Sequence, residues 1–339
     1  MIDTPGIAIT NAPTIKGKRF PLIVVSHGYQ GWDSFLSYLT ENLASKGYVV
    51  VAIDHQDQIF TDSTGFALSF GNVILDRAQD QRAVIAALIK QAVDDKNNYG
   101  AAIDADHIGL IGYSMGGFGA LATAGADYDP LSNSLKQLPA EAQVAMLAKD
   151  PAIAARIKAL VTIAPWGGQP ANRSWSAASL ANIKAPVLMI DGDQDDIVDF
   201  KQGVSWIFGS LTGTERHLLS FANARHNVGG NPVPENIGSN FSAKEYFAEP
   251  VWRGDRLNAI NQHFITAFLD MTLKGDVRKA AYLDVPTPLA SEAVWPASFG
   301  EQLGGKTAGD GEPKYWRGFQ RRWALGLELR KLKAGEAAK

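Results

Sequence analysis

From Pro21 to His226, short β-branched apolar runs alternate with stretches whose apolar residues recur every three or four positions, which restricts the chain to an α/β architecture. Six strands are expected: Leu22 to Ser26, Val49 to Asp54, Ile108 to Gly112, Leu160 to Ala164, Val187 to Asp191 and His217 to Ala222. Helices are expected near Phe35 to Lys46, Leu75 to Val93, Gly117 to Ala126 and Gly203 to Ser210. Crossovers of this kind are right-handed, so the sheet should be mostly parallel with helices on both faces.

Two stretches break the rhythm. Residues 127–158, Pro-punctuated and rich in Ala and Leu, are expected to form small helices at the rim or a lid. Residues 229–254 begin as an irregular Pro, Gly and Asn loop, and a helix is expected from Asp255 to Leu273. In the tail, Trp316, Phe319, Trp323 and Leu327 recur at spacings of three and four, predicting a C-terminal helix with an apolar stripe laid on the main body. The expected organisation is one domain over 1–278 with two insertions, and an extension over 279–339 packed upon it. A chain of 339 residues, 46% hydrophobic, is long enough for one such core.

A net charge of -3 with no long run of like charge leaves no basic field for nucleic acid. With no cysteine there is no disulfide, no thiolate metal site and no cysteine nucleophile. No apolar run approaches the ~18 residues that span a bilayer, and Met1 to Gly6 lack a basic start and apolar stretch. A soluble protein is expected, cytoplasmic in preference to an exported mature form.

The chemistry centres on Gly112-Tyr113-Ser114-Met115-Gly116, at the turn from an apolar strand into a small-residue helix. This G-x-S-x-G context is that of a nucleophile elbow, which makes Ser114 the candidate attacking atom. A serine hydroxyl needs a base oriented by a carboxylate. Among six histidines, His226 follows an apolar strand in a loop at the sheet edge and is the candidate base. His27, His55, His107, His217 and His263 are read as structural, although His27 opens the loop after the first strand and is a candidate to line the site. Val187 to Gly192 runs into Asp193-Gln194-Asp195-Asp196, at the carboxyl end where such sheets place their sites. Asp195 is the candidate acid, with Asp193 and Asp196 as rivals and Asp191 as a strand-end residue. A calcium loop is excluded, because Asp196 and Gln202 stand where Gly and Glu are needed. Backbone N–H groups of Met115 and Tyr29, the latter in Ser26-His27-Gly28-Tyr29, are the candidate oxyanion donors.

With these residues placed, the chain resembles the α/β-hydrolase superfamily. Within it the resemblance is to the platelet-activating-factor acetylhydrolase and dienelactone-hydrolase-like group, which borders the bacterial cutinases and polyester hydrolases. It rests on Ser26-His27-Gly28, on Leu43 to His55, on Gly112 to Gly117 and on Gly192 to Val198, and spans roughly residues 20 to 275. The resemblance implies an α/β-hydrolase fold and favours Asp195, the aspartate three residues after the glycine. It also implies that Trp166, in Ala164-Pro165-Trp166, is a substrate contact. A serine-esterase branch is implied, since dienelactone hydrolases proper attack with cysteine. The family's usual first strands are expected to be missing ahead of Leu22. The expectation is a serine hydrolase cleaving small-molecule or oligomeric carboxylic esters through an acyl-enzyme, with no metal and no organic cofactor. The alternatives are an amidase or peptidase using the same triad and an inactive hydrolase-fold binding protein.

Overall fold

The computed structural model describes residues 5–58, 62–94, 99–136, 138–296 and 314–338. Seven strands form one sheet in the order β2-β1-β3-β4-β5-β6-β7. They are β1 Phe20–Ser26, β2 Val49–Ile53, β3 Ile103–Tyr113, β4 Ile157–Ile163, β5 Val187–Gly192, β6 Arg216–Phe221 and β7 Leu327–Leu332. The first six are parallel and match the six expected from sequence; β7 joins β6 antiparallel. Among the described residues no strand precedes β1.

The strands differ in apolar content because they differ in cover. Leu22, Ile23, Val24 and Val25 of central β1 are all buried, as a parallel strand covered on both faces requires, whereas β2 at the sheet edge is half-buried from Val49 to Ala52. Helix α1 (Ser37–Ser45) packs with the long helix Gly254–Leu273, and α2 (Ser63–Asp94) packs with α3 (Met115–Thr123). Each fully buried Leu, Ile or Val of the sheet contributes ~1.5–3 kcal/mol over its exposed state, so these two helix pairs seal the core. No helix among the described residues is long and apolar enough to cross a membrane.

The segment 127–158 does form small helices, α4 (Ala140–Leu147) and α5 (Pro151–Arg156), the second capped by the Asp150 carboxylate accepting from Ile153 N at 2.9 Å. They pack on α2, and Arg156 pairs with Asp106 where β3 begins, so the segment sits toward the end of the sheet opposite Ser114 and is not a lid over it. The helical tail is corrected more fully. Within the described part of residues 279–339, Trp316 and Phe319 lie in turns, Trp323 in a single 3₁₀ turn, and Leu327 opens strand β7. Gly318 and Gly326 adopt φ of +87° and +83°, which interrupts any helix across the stripe. Beyond Gly326 the burial has period two, with Leu327 and Leu329 inward and Glu328 and Arg330 half-exposed. Residues 297–313 of the expected extension lie outside the described residues.

Candidate active site

The chain reverses direction of sheet growth between β1 and β3, which are neighbours, with Ser26 in register with Gly112. The loops leaving these two strands therefore meet at their carboxyl ends, the topological switch point where open α/β sheets hold ligands. At the end of β3, Ser114 has φ +52° and ψ -114°, a strained conformation for a residue with a side chain. Bonds from Ser114 N to Ile163 O at 2.9 Å and from Phe118 N to Ser114 O at 3.0 Å hold it there. The turn is so tight that a side-chain carbon at Gly112 would fall 2.3 Å from Gly116 O, and one at Gly116 would fall 2.1 Å from Ser26 O. That is the physical content of the glycine pair flanking Ser114.

Strands β5 and β6 are also neighbours, so the loops after them meet in turn. His226 Nε2 lies 3.1 Å from Ser114 Oγ, and His226 Nδ1 lies 2.6 Å from Asp195 Oδ2. Asp195 is 4% exposed, and its Oδ1 accepts from Ile197 N at 2.8 Å and Val198 N at 3.0 Å. Burial pushes the Asp195 carboxyl up, but the charge of His226 and hydrogen bonds from His226, Asp191 and Val198 N outweigh it and hold the group below its ordinary range. With a carboxylate on Nδ1, the neutral imidazole carries its hydrogen there and presents the Nε2 lone pair to Ser114. Tyr113 donates to His226 O at 3.3 Å and stacks on the imidazole, with ring centroids 5.5 Å apart.

The loop after β1 passes directly over the serine: a side-chain carbon at Gly28 would sit 3.2 Å from Ser114 Cβ. Its shape is fixed from below. Arg77 of α2 donates to Gly28 O at 3.1 Å and to both oxygens of Asp57, whose Oδ2 also accepts from Gln30 N at 2.6 Å. The Arg77 and Asp57 side chains are 1% and 4% exposed, so this is a buried charge pair clamping the backbone on either side of Tyr29. His27 donates from Nδ1 to Gly28 O at 2.7 Å and accepts at Nε2 from His55 N at 3.0 Å, which requires the neutral ring. Burial first, then the Arg77 charge, pushes its pKa down to about 3.

A cavity of about 900 Å³ opens onto Ser114 and His226, walled by Tyr29, Phe35, Tyr113, Phe241 and Lys244. Its outer wall is α6 (Phe241–Phe247), inside the 229–254 segment. Glu249 anchors this segment to the histidine loop by accepting from Arg225 N at 3.1 Å, from Val251 N at 2.8 Å and from Trp252 N.

Ser114, His226 and Asp195 are thus brought together, and Tyr29 and Met115 flank the serine through the loop after β1 and the start of α3. Asp196 pairs with Arg225 at the cavity mouth, and Asp193 accepts from Asn223 N, so neither rival contacts His226. The two expected substrate contacts fall elsewhere. His27 is 2% exposed and lies beneath the loop, and Trp166 is 7% exposed with its ring against Phe70 and Phe118. Only the backbone N of Trp166 reaches the elbow, donating to Ser114 O at 3.2 Å. Arg77, Asp57 and Glu249 were not legible from sequence, because each acts on backbone elsewhere in the chain and none carries a local pattern; Tyr113 lies inside the G-x-S-x-G run, but that pattern does not foretell its stacking on His226.

A family model described as PETase, PET hydrolase-like, matches residues 6–146. Cutinase est1 of Thermobifida alba is 27% identical over 213 residues, covering 62% of this chain and 55% of that protein. Cutinase cut1 of Thermobifida fusca is 23% identical over 213 residues, covering 62% and 51%. Bis(hydroxyethyl) terephthalate hydrolase of Streptomyces coelicolor is 24% identical over 209 residues, covering 61% and 50%. The chain spans about half the length of these relatives.

Proposed function

We propose that this chain, which belongs to the α/β-hydrolase superfamily and is similar to its cutinase-like polyester hydrolases, is a serine hydrolase of carboxylic esters. The observation that carries the reading is the unbroken hydrogen-bonded series from Ser114 through His226 to Asp195, facing a cavity of about 900 Å³. His226 Nε2 takes the Ser114 proton as Oγ attacks the ester carbonyl, and Asp195 stabilises the imidazolium that forms. The backbone N–H groups of Met115 and Tyr29 receive the oxyanion, each worth ~3 kcal/mol of barrier when aimed at the developing charge. His226 then protonates the leaving alcohol, and water attacks the acyl-enzyme along the reverse path.

The aromatic walls Phe35, Tyr113 and Phe241 favour an ester with a flat or extended apolar acyl group, in keeping with a relative named for a terephthalate ester. Short p-nitrophenyl esters and bis(hydroxyethyl) terephthalate, each set beside an anilide analogue, provide the test. Ser114→Ala is expected to lower ester turnover by about 10⁴-fold or more. Undiminished turnover by the folded variant would reject the assignment, and faster anilide than ester cleavage by the unaltered chain would redirect it to amides.

A further inference from the structure

At the end of the sheet away from Ser114 lies a second cavity, of about 690 Å³, within the ~300–1,000 Å³ range of small-molecule sites. It opens where α3 ends, where β4 begins at Ile157 and where Lys184 to Pro186 lead into β5. The sequence explains the room. Residues 122–126 and α5 line it with Ala122, Ala124, Ala126, Ala154 and Ala155, side chains too short to fill the gap between the sheet and the 127–158 segment. Met146 and Leu147 at the end of α4, with Ile157, make the rest of the wall aliphatic, and Tyr128 adds one ring. The cavity at Ser114 differs, being walled by Phe35, Tyr113 and Phe241.

Charge around the opening is one-sided. Arg82, Lys149, Lys158 and Lys184 line it against Asp127 and Asp150. Asp127 is taken by Lys149 at 2.7 Å, and the Asp150 carboxylate caps α5 through Ile153 N. Arg82 is held by Ala148 O at 2.7 Å and Ala122 O at 3.1 Å, which fixes its charge in the wall. Lys158 donates to Ala155 O at 2.6 Å and Lys184 to Ala181 O at 3.2 Å. None of these three cations stands in an ion pair among the described residues. An ammonium has three hydrogens, so each lysine keeps donors for an incoming anion.

We propose that this cavity is a second ligand site, which takes an aliphatic chain ending in one anionic group, a medium-chain carboxylate. The chain lies against the alanine and methionine wall, where removing apolar surface from water drives binding, and the head sits between Lys158 and Lys184 with the Arg82 charge behind it. The aliphatic wall selects a flexible chain over the flat rings that suit the cavity at Ser114, and the unpaired cations select an anion over an alcohol or an amine.

Methionine methyl resonances locate the ligand. The chain has 5 methionines, of which Met146 lines this cavity and Met115 follows Ser114. Full-length protein labelled at the methionine methyl carbons, with signals assigned by Met146→Leu and Met115→Leu, is titrated at neutral pH with octanoate, octanol and octylamine. Octanoate is expected to move the Met146 signal saturably, and the two uncharged or cationic analogues to need at least about tenfold more for the same shift. The double variant Lys158→Glu, Lys184→Glu should raise the octanoate midpoint about tenfold, its methyl spectrum showing that it is folded. A Met146 signal that stays in place, whether or not Met115 moves, overturns the proposal. So do equal midpoints for the three probes, or an unchanged octanoate midpoint in the folded double variant. Because turnover enters none of these readings, an inactive Ser114 would leave this site standing, and an empty site would leave the ester reading untouched.

Discussion

The guanidinium of Arg77 donates to the carbonyl oxygen of Gly28 across 3.1 Å, so a side chain from the long helix α2 sets the backbone that arches over Ser114. Because Asp57 neutralises the same guanidinium and accepts from Gln30 N, charge balance and loop shape depend on one buried pair. Removing a single partner of such a pair typically costs ~3–5 kcal/mol, since the other charge is left without compensation. Asp57→Ala and Arg77→Met are each expected to lower the unfolding free energy read from urea melts by that order and to reduce kcat. The double variant should be less destabilised than the two single losses added together. Strict additivity in a double-mutant cycle would show that the pair does not act as a unit.

Acid should unfold the protein through buried neutral histidines. Burial pushes His27 and His217 down to about 3, with the Arg77 charge assisting at His27 and Lys331 at His217. In the unfolded chain each titrates near ~6.5. Below that value the unfolded state binds protons that the folded state cannot. The stability these groups contribute above ~6.5 is therefore lost as pH falls toward their folded values, at up to ~1.4 kcal/mol per pH unit for each histidine. Urea midpoints taken across this window measure the slope; a flat profile would contradict the neutral, buried assignment.

His217 also offers a simpler test. Its ring is 0% exposed in β6, neither nitrogen has a hydrogen-bond partner among the described residues, and Phe268 packs against it edge-on at 6.1 Å between centroids. A buried unsatisfied donor or acceptor costs ~1–3 kcal/mol. His217→Leu is expected to raise Tm and to shallow the acid slope described above. A variant less stable than the parent at neutral pH would indicate that the ring is satisfied.

Asp191 gives stability the opposite dependence on pH. Its folded carboxyl is held far above the ordinary range, by burial first and by Asp195 second, whereas the unfolded carboxyl titrates near ~3.9. The folded chain thus keeps a proton that the unfolded chain releases, and the contribution present below ~3.9 is lost as pH climbs toward the folded value. The Tm advantage of Asp191→Asn over the parent should widen as pH is raised from acid to alkaline. A constant difference would mean that Asp191 does not hold its proton.

The tail should be indispensable to the sheet. β7 covers the outer edge of β6, and Arg216, 0% exposed, donates to Lys333 O at 3.1 Å and to Glu336 O at 2.6 Å. Removing residues 327–339 strips those acceptors from a buried cation and uncovers a strand edge, a template for aggregation. Light scattering and thermal melts of the shortened chain are expected to show association and a lower Tm. A monomeric, equally stable product would contradict this role.

What was legible in the sequence follows from how local each signal is. The six parallel strands stood out because strands covered on both faces are continuous apolar runs, as Leu22 to Val25 and Val187 to Ile190 are. The candidate nucleophile and base, Ser114 and His226, were legible because Gly112 and Gly116 mark a turn and His226 follows a strand in its loop. Arg77, Asp57 and Glu249 left no trace, since each is an ordinary charged residue until the fold carries it to backbone groups elsewhere in the chain. Tail residues 316–327 misled because four apolar residues fell at helical spacing; the alternation in Leu327-Glu328-Leu329-Arg330, just beyond, was the signal of the strand actually formed.

The cavity wall and His226 are carried on one short stretch of backbone, with α6 begun fifteen residues after His226 and Glu249 tying the stretch back to Arg225 N. Under the proposed function, the choice of substrate and the handling of its proton are thereby mechanically linked. If the proposed function holds, a foreign loop grafted at 229–254 would change which molecules enter and, unless it kept the Glu249 bond to Arg225 N, would also disturb the loop that carries the imidazole.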